Sequence, residues 1–235
     1  MKKFPVIALV AVGLLFAGLA EAAPKKRTRN QNRIGPYGEA LVGQTNYTGD
    51  QSGAEDYVRG IFENGNIPFQ NLEVSSDDTD VGYQLAFGYR FHRYLAGEIS
   101  LAQFGQVSSK ASAGADFGSG FVPASVELAF SAQGPVFSVV GILPVGEHLE
   151  AYARLGYMFA SVEREYTERI DGQTGVRVSA KGDSQEPLYG VGLAWNVNQV
   201  YSIRVEYQKL DNIGQSDRTG TEDLTTFNIG LLMRF

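Results

Sequence analysis

Period-two alternation, repeated along most of the chain, is the feature that most restricts what this sequence can fold into. Counting back from the last residue, Phe235, Met233, Leu231, Ile229 and Phe227 are apolar, whereas Arg234, Leu232, Gly230, Asn228 and Thr226 are mostly small or polar. Successive side chains of an extended strand point to opposite faces, so this segment reads as a strand with one apolar face. Val81, Tyr83, Leu85, Phe87, Tyr89 and Phe91 alternate in the same way with Gly82, Gln84, Ala86, Gly88 and Arg90. The pattern returns in Leu149 to Phe159, Tyr189 to Trp195 and Tyr201 to Tyr207, where Glu150, Arg154, Gly190, Gly192, Arg204 and Glu206 lie on the less apolar face. In Leu95 to Gln103 that face carries Glu98, Ser100 and Ala102. Val126 to Leu143 alternates in its upper half, and below Gly134-Pro135 both faces are apolar, which predicts a bulge there. Tyr37 to Thr45 is a first strand whose facing the sequence leaves open.

These segments make eight strands, and their connections alternate in length. The short ones are His92-Arg93, Val145 to His148 and Val197 to Gln199; the long ones run over Asn46 to Asp80, Gly105 to Ser125, Ser161 to Glu186 and Asn212 to Asp223. Short turns at one end and long loops at the other describe an all-β, eight-stranded antiparallel up-and-down β-barrel. Strands of roughly 9 to 11 residues are long enough to cross a bilayer when tilted.

A soluble barrel would show the same alternation with its apolar face turned inward. Two observations oppose that. The apolar faces here are built of large residues and the opposing faces of Gly, Ala and Ser, and the lumen of an eight-stranded barrel has little room for side chains. Charges also recur on the small-residue face: Arg90, Glu98, Glu150, Arg154, Arg204, Glu206 and Arg234. A solvated sheet face would explain any one of them. Together, four Arg and three Glu can pair within a confined interior, leaving lipid outside. Aromatics near strand ends, such as Tyr89, Phe91, Tyr157 and Phe159, fit interfacial girdles. The reading is therefore a transmembrane barrel, and it accounts for a mean hydropathy of only -0.15 in a chain with 28 Gly and 11% aromatic residues.

The amino terminus points to export. Lys2 and Lys3 precede an apolar run from Phe4 to Leu19, and Ala20-Glu21-Ala22 supplies an A-x-A site, so residues 1–22 are expected to be a signal peptide cleaved after Ala22. The apolar run is shorter than the roughly 20 residues a spanning helix needs. Residues 23–33 hold five positive charges between Lys25 and Arg33 and read as a solvated basic tail on the periplasmic side, with anionic head groups as the sharper alternative. The barrel is expected over residues 34–235. With no Cys, thiolate zinc sites, cysteine nucleophiles and disulfides are excluded, and a net charge of -6 opposes nucleic acid as a partner.

The terminal Phe235 with Phe227, Ile229, Leu231 and Met233 before it resembles the C-terminal recognition signal of bacterial outer-membrane barrels. GPVFSVVGILPVGEHLEAYARLGY (Gly134 to Tyr157), YGVGLAW (Tyr189 to Trp195) and YLAGEISL (Tyr94 to Leu101) resemble the small barrels of the OmpA-like transmembrane, OmpX and opacity-protein group over roughly Ile34 to Phe235. The resemblance implies an outer-membrane location, contact with outer-membrane lipids and lipopolysaccharide, and insertion by the barrel-assembly machinery through the C-terminal strand. It also implies a monomer. Because the last strand ends on Phe235, no peptidoglycan-binding domain is expected to follow.

Some small outer-membrane barrels are enzymes that use a His base, with a Ser nucleophile or an Asp partner. The two His, His92 and His148, fall in short turns, away from the long loops and the outer rim. No catalytic residue, cofactor or metal is therefore expected. Ser75-Ser76-Asp77-Asp78-Thr79-Asp80 lacks the Gly and distal Glu of a calcium loop, and acidic residues of the first loop read as hydrated surface. The expected function is non-enzymatic: a barrel whose long acidic loops serve envelope structure or bind an extracellular ligand the sequence does not name. A small ion-conducting pore is the alternative; a lipid-modifying enzyme or a soluble periplasmic ligand-binding barrel fits less well.

Overall fold

A computed structural model of the chain describes residues 33–48, 59–60, 63–116, 118, 120–215 and 220–235. The expected signal peptide, residues 1–22, and residues 23–32 of the expected basic tail lie outside the described residues, as do Asp50, Glu55 and Asp56 of the first acidic loop. Nine strands are present among the described residues: β1 (Gly35–Thr48), β2 (Phe69–Asp77), β3 (Thr79–His92), β4 (Leu95–Asp116), β5 (Phe121–Pro144), β6 (Leu149–Ile170), β7 (Gln173–Asn196), β8 (Tyr201–Gln215) and β9 (Gly220–Arg234).

Eight of them close on themselves. The order β4-β3-β1-β9-β8-β7-β6-β5 returns to β4 through a β4–β5 ladder, and every pairing is antiparallel. The ninth, β2, adds no lane to the barrel. It runs antiparallel to β4 over Ser108–Ala115, while β3 pairs with β4 over Leu95–Gln103, and only Asp78 separates the two. β2 is thus the upper continuation of β3, and the first long connection is partly strand where a loop was expected.

The other long connections are corrected in the same sense. β4 continues to Asp116 and β5 begins at Phe121, and β6 and β7 meet at Asp171-Gly172, so the regions expected as loops are largely tall hairpins. β5 and β7 have 24 residues each, about 80 Å of extended chain. About half of each therefore rises beyond the membrane. The predicted bulge is also displaced. The β5–β6 register is unbroken across Gly134-Pro135, and the irregularity lies on β4 between Gln103 and Gln106. There Gly105 has φ +75° and Asp80 Oδ2 accepts a hydrogen bond from Gln106 N at 2.8 Å. A Cβ on Gly105 would meet Asp80 and the Val81 carbonyl within 2.9 Å.

Facing follows the alternation. Leu85, Phe87, Ile99, Leu101, Val139 and Leu155 point outward and are 46–66% exposed to the surroundings, whereas Gln84, Ala86, Glu98, Ser100 and Arg154 point inward and are buried. Lumen glycines make room for bulky cross-strand neighbours. Tyr37 lies over its partner Gly88 and Tyr152 over its partner Gly192, where added Cβ atoms would sit 2.3 and 2.5 Å from the rings.

Candidate functional site

From the periplasmic end upward, the lumen is stacked in layers of different chemistry. At the bottom, Glu150 of β6 is paired with Arg90 of β3 at 3.1 Å, Arg33 at 3.1 Å and Arg234 of β9 at 3.8 Å. Arg234 also donates to Ser202 Oγ at 2.7 Å and Asn196 Oδ1 at 3.1 Å, which ties β9 to β8 and β7.

Above this lies a second ionic group, fully enclosed. Arg154 of β6 contacts three carboxylates: Glu206 of β8 at 2.8 Å, Glu98 of β4 at 2.9 Å and Glu39 of β1 at 3.2 Å. Arg204 of β8 meets Glu39 at 2.9 Å and Glu98 at 3.2 Å. Two tyrosines complete the shell. Tyr37 donates to Glu98 at 2.5 Å, Tyr152 donates to Glu206 at 3.1 Å, and the Arg204 guanidinium lies over the Tyr152 ring at 4.5 Å. Side chains of Arg154, Glu39, Glu98 and Glu206 show no exposed surface. Charges so enclosed are tolerated only because each is matched by several partners.

A layer of neutral polar groups follows: Gln208 donates to Gln84 at 3.0 Å and Gln84 to Ser100 at 2.8 Å. Over it the character of the interior inverts. Met158, Val162, Leu188, Leu210, Ile213 and Leu224, each 0% exposed, form an apolar plug with Phe104 and Phe130. Above the plug, Ala111, Ala113, Ala115, Ala124 and Val126 on β4 and β5 form a smaller apolar cluster against Phe69, Leu72 and Tyr166. The outward face at this height carries ion pairs instead: Glu163 with Lys181 at 3.4 Å, Glu127 with Arg169 at 3.1 Å, and Glu165 with Arg177. The Ser179 hydroxyl hydrogen bond and Lys181 hold the Glu163 carboxyl below its ordinary value.

The seven charged residues singled out from the sequence therefore fall into two groups. Arg90, Glu150 and Arg234 occupy the lower layer, and Glu98, Arg154, Arg204 and Glu206 the upper. Two members were missed. Glu39 sits on β1, whose facing the sequence leaves open, and Arg33, which the charge pattern places in the tail, reaches Glu150 in the lumen. On β9, Phe227, Ile229 and Leu231 are exposed on the outer face, and Phe235, just past the end of the strand, is half-buried. Met233 departs from that outer-face run and is 1% exposed. His92 ends β3, and His148 lies in the β5–β6 turn stacked on Trp195, its Nδ1 3.2 Å from the Asn196 carbonyl.

A family model of the OmpA-like transmembrane domain matches residues 41–235. Outer membrane protein A of Serratia marcescens is 29% identical over 236 residues, covering 100% of this chain and 56% of its own length. Outer membrane protein A of Klebsiella pneumoniae is 30% identical over 191 residues, covering 80% of this chain and 50% of its own length. The chain thus spans about half the length of the curated relatives it matches. Among solved structures, OprG of Pseudomonas aeruginosa is similar at a TM-score of 0.43 and 14% identity, over 86% of this chain and 96% of that one. The Ail protein of Yersinia pestis, solved with the heparin analogue sucrose octasulfate, is similar at 0.37 and 16% identity, over 86% and 100%. The chain belongs to the OmpA-like transmembrane domain family and is an integral β-barrel protein of the bacterial outer membrane.

Proposed function

We propose that this protein is a non-enzymatic surface protein: a sealed barrel anchors a tall extracellular sheet that makes the functional contacts. The observation that carries the reading is the pairing of a shut lumen with strands that continue far above the membrane. An ionic layer without exposed side-chain surface, with an apolar plug over it, supports a lumen closed to ions. The strands above it are held by the β4–β5 ladder from Gln106 to Asp116 and by the β6–β7 ladder up to Thr167, close to the ends of the hairpins. Rigid outward projection suits recognition of an external partner more than it suits flux.

The same reading has residues 1–22 removed on export, residues 23–33 facing the periplasm, and the strand ending in Phe227, Ile229, Leu231, Met233 and Phe235 offered to the barrel-assembly machinery. It takes the lumen charges as structural. Two measurements test it. In planar bilayers the purified protein is expected to show no steady single-channel openings; openings abolished by replacing Arg154 or Glu98 would establish the pore reading instead. Cells carrying a variant whose hairpin tops, residues 108–129 and 164–179, are replaced by short turns are expected to insert a folded barrel yet lose surface attachment. Unchanged attachment together with a leaky envelope would place the function in the barrel.

A further inference from the structure

The lower ionic layer is out of balance. Arg33, Arg90 and Arg234 share Glu150, and among the described residues no other carboxylate is in salt-bridge contact with any of the three. Arg90 engages it most fully: Nη1 donates to Oε1 at 3.1 Å and Oε2 at 3.4 Å, and the other nitrogens donate to the His92 and Arg93 carbonyls. Arg33 Nη1 shares Oε1 at 3.1 Å. Arg234 is left at 3.8 Å, and its hydrogen bonds go to uncharged groups, Ser202 Oγ and Asn196 Oδ1. Two positive charges are thus uncancelled, although the Arg234 side chain is only 12% exposed. The carboxylates of the layer above, Glu39, Glu98 and Glu206, are engaged by Arg154, Arg204 and the two tyrosines.

A second shortage lies beside the first. Asn196 is 1% exposed, its Oδ1 accepts from Arg234 and from Ser202 Oγ, and its Nδ2 has no hydrogen-bond partner. A buried donor without an acceptor and a buried guanidinium without a close anion are both costly, and both are relieved by the same thing, a negatively charged acceptor. The place where it is wanted can be reached from one side. Arg90 donates into the His92-Arg93 turn, Glu150 lies two residues past His148, and Asn196 precedes a turn whose Val200 carbonyl accepts from Arg234 N at 2.8 Å. Arg33 is the outermost member, with 31% of its side chain exposed. The enclosed layer closes the other side, so an occupant enters from the periplasm.

The size of the imbalance selects among anions. A carboxylate or a phosphodiester brings one negative charge and leaves a guanidinium unmatched. A phosphate monoester carries roughly -1.5 to -2 at neutral pH and three strong acceptor oxygens, which suit guanidinium forks and an amide donor. We propose that the periplasmic mouth of the lumen is a binding site for a soluble phosphate monoester or inorganic phosphate, held by Arg33, Arg234 and Asn196 Nδ2. Glu150 and Arg90 form its floor. The site lies at the opposite end of the barrel from the extracellular sheet and does not depend on what that sheet contacts.

Isothermal titration calorimetry of the purified protein in octyl glucoside, in a neutral buffer free of phosphate, tests the assignment. The probes are inorganic phosphate and glycerol phosphate; glycerophosphocholine, a soluble diester, and acetate are the singly charged comparisons. The wild type is expected to bind both probes saturably at one site. Arg33→Gln, at the most exposed member, is expected to bind them about tenfold more weakly, which corresponds to about 1.4 kcal/mol. Asn196→Asp replaces the open donor by an acceptor and places a fixed carboxylate beside Arg234, so it is expected to abolish binding. Lys181→Gln, which removes one positive charge at the extracellular end, is expected to bind as the wild type does. Heat-modifiable migration verifies that each variant is folded. Absence of saturable binding to the wild type, or binding by Arg33→Gln and Asn196→Asp equal to that of Lys181→Gln, would overturn the site. Glycerophosphocholine or acetate bound as tightly as glycerol phosphate would overturn its assignment to a monoester.

Discussion

Replacing Arg154 by Met gives the sharpest test of the enclosed ionic layer. The guanidinium sits within 2.8–3.2 Å of three carboxylates, and neither it nor they have exposed surface. Arg204 still meets Glu39 and Glu98 in the variant, but Glu206 is left with the Tyr152 hydroxyl. Removing one partner of a buried pair typically costs about 3–5 kcal/mol, because the remaining charge is stranded away from water. We expect a loss in that range, and Glu206→Gln in the Arg154→Met background should return about half of it by removing the stranded charge. Lys181→Gln is the control: its pair with Glu163 is 3.4 Å long and 71% exposed on the lysine side, which limits the loss to about 1 kcal/mol. Urea unfolding in lipid vesicles reads all of these through Trp195, the single tryptophan, which faces the lipid side at 54% exposure. An Arg154→Met barrel within about 1 kcal/mol of wild type, or a further loss on adding Glu206→Gln, would refute the view that stranded charge governs this layer.

Other outcomes follow from particular positions. Gly88→Ala would drive a methyl to within 2.3 Å of the Tyr37 ring and should cost about 1–3 kcal/mol in the same titration, whereas Gly141→Ala, with its nearest neighbour 3.9 Å away, should change stability by less than about 0.5 kcal/mol. Gly172→Val forces a branched residue to φ +75° at the β6–β7 turn, a strain of about 1–3 kcal/mol, and should speed proteolysis at that tip without unfolding the barrel. Deleting Phe235 is expected to lower the amount of protein reaching the outer membrane of cells while leaving refolding in detergent intact; normal surface levels would remove the C-terminal strand from the assembly role.

What was legible in the sequence tracks where the bilayer imposes a rule. Between Leu85 and Phe91, or Tyr189 and Trp195, lipid demands large apolar groups on one face and a narrow lumen demands small or paired ones on the other, so parity is unambiguous. Above the membrane that contrast disappears. Lys110 to Asp116 sets Ala111, Ala113 and Ala115 against Lys110, Ser112 and Gly114, a muted alternation easily read as loop. The hairpins there are held by ladders and by pairs such as Glu163 with Lys181. One local signal did exist: Asp171-Gly172 has both residues at positive φ and is a two-residue turn of the kind that favours tight hairpins. Glu39 was hidden because Tyr37, Leu41 and Tyr47 share its parity while Ala40 and Val42 fill the other, so neither face of β1 reads as polar.

The inversion of the interior from charged to apolar has a mechanical consequence. β6 keeps one parity from Glu150 to Val162, but the meaning of that parity reverses about halfway up: inward is charged at Glu150 and Arg154 and apolar at Met158 and Val162, while outward is apolar at Leu155 and Phe159 and charged at Glu163 and Glu165. A slip of one residue would swap the faces of a strand in both halves at once, so each half guards the alignment of the other. The reversal also acts as a waterline. Sliding toward the periplasm would carry Glu163 and Lys181 into hydrocarbon, and sliding outward would lift Leu101 and Phe159 into water. The barrel is gauged against its membrane from above and from below, and the platform it carries stands at a set height over the cell surface.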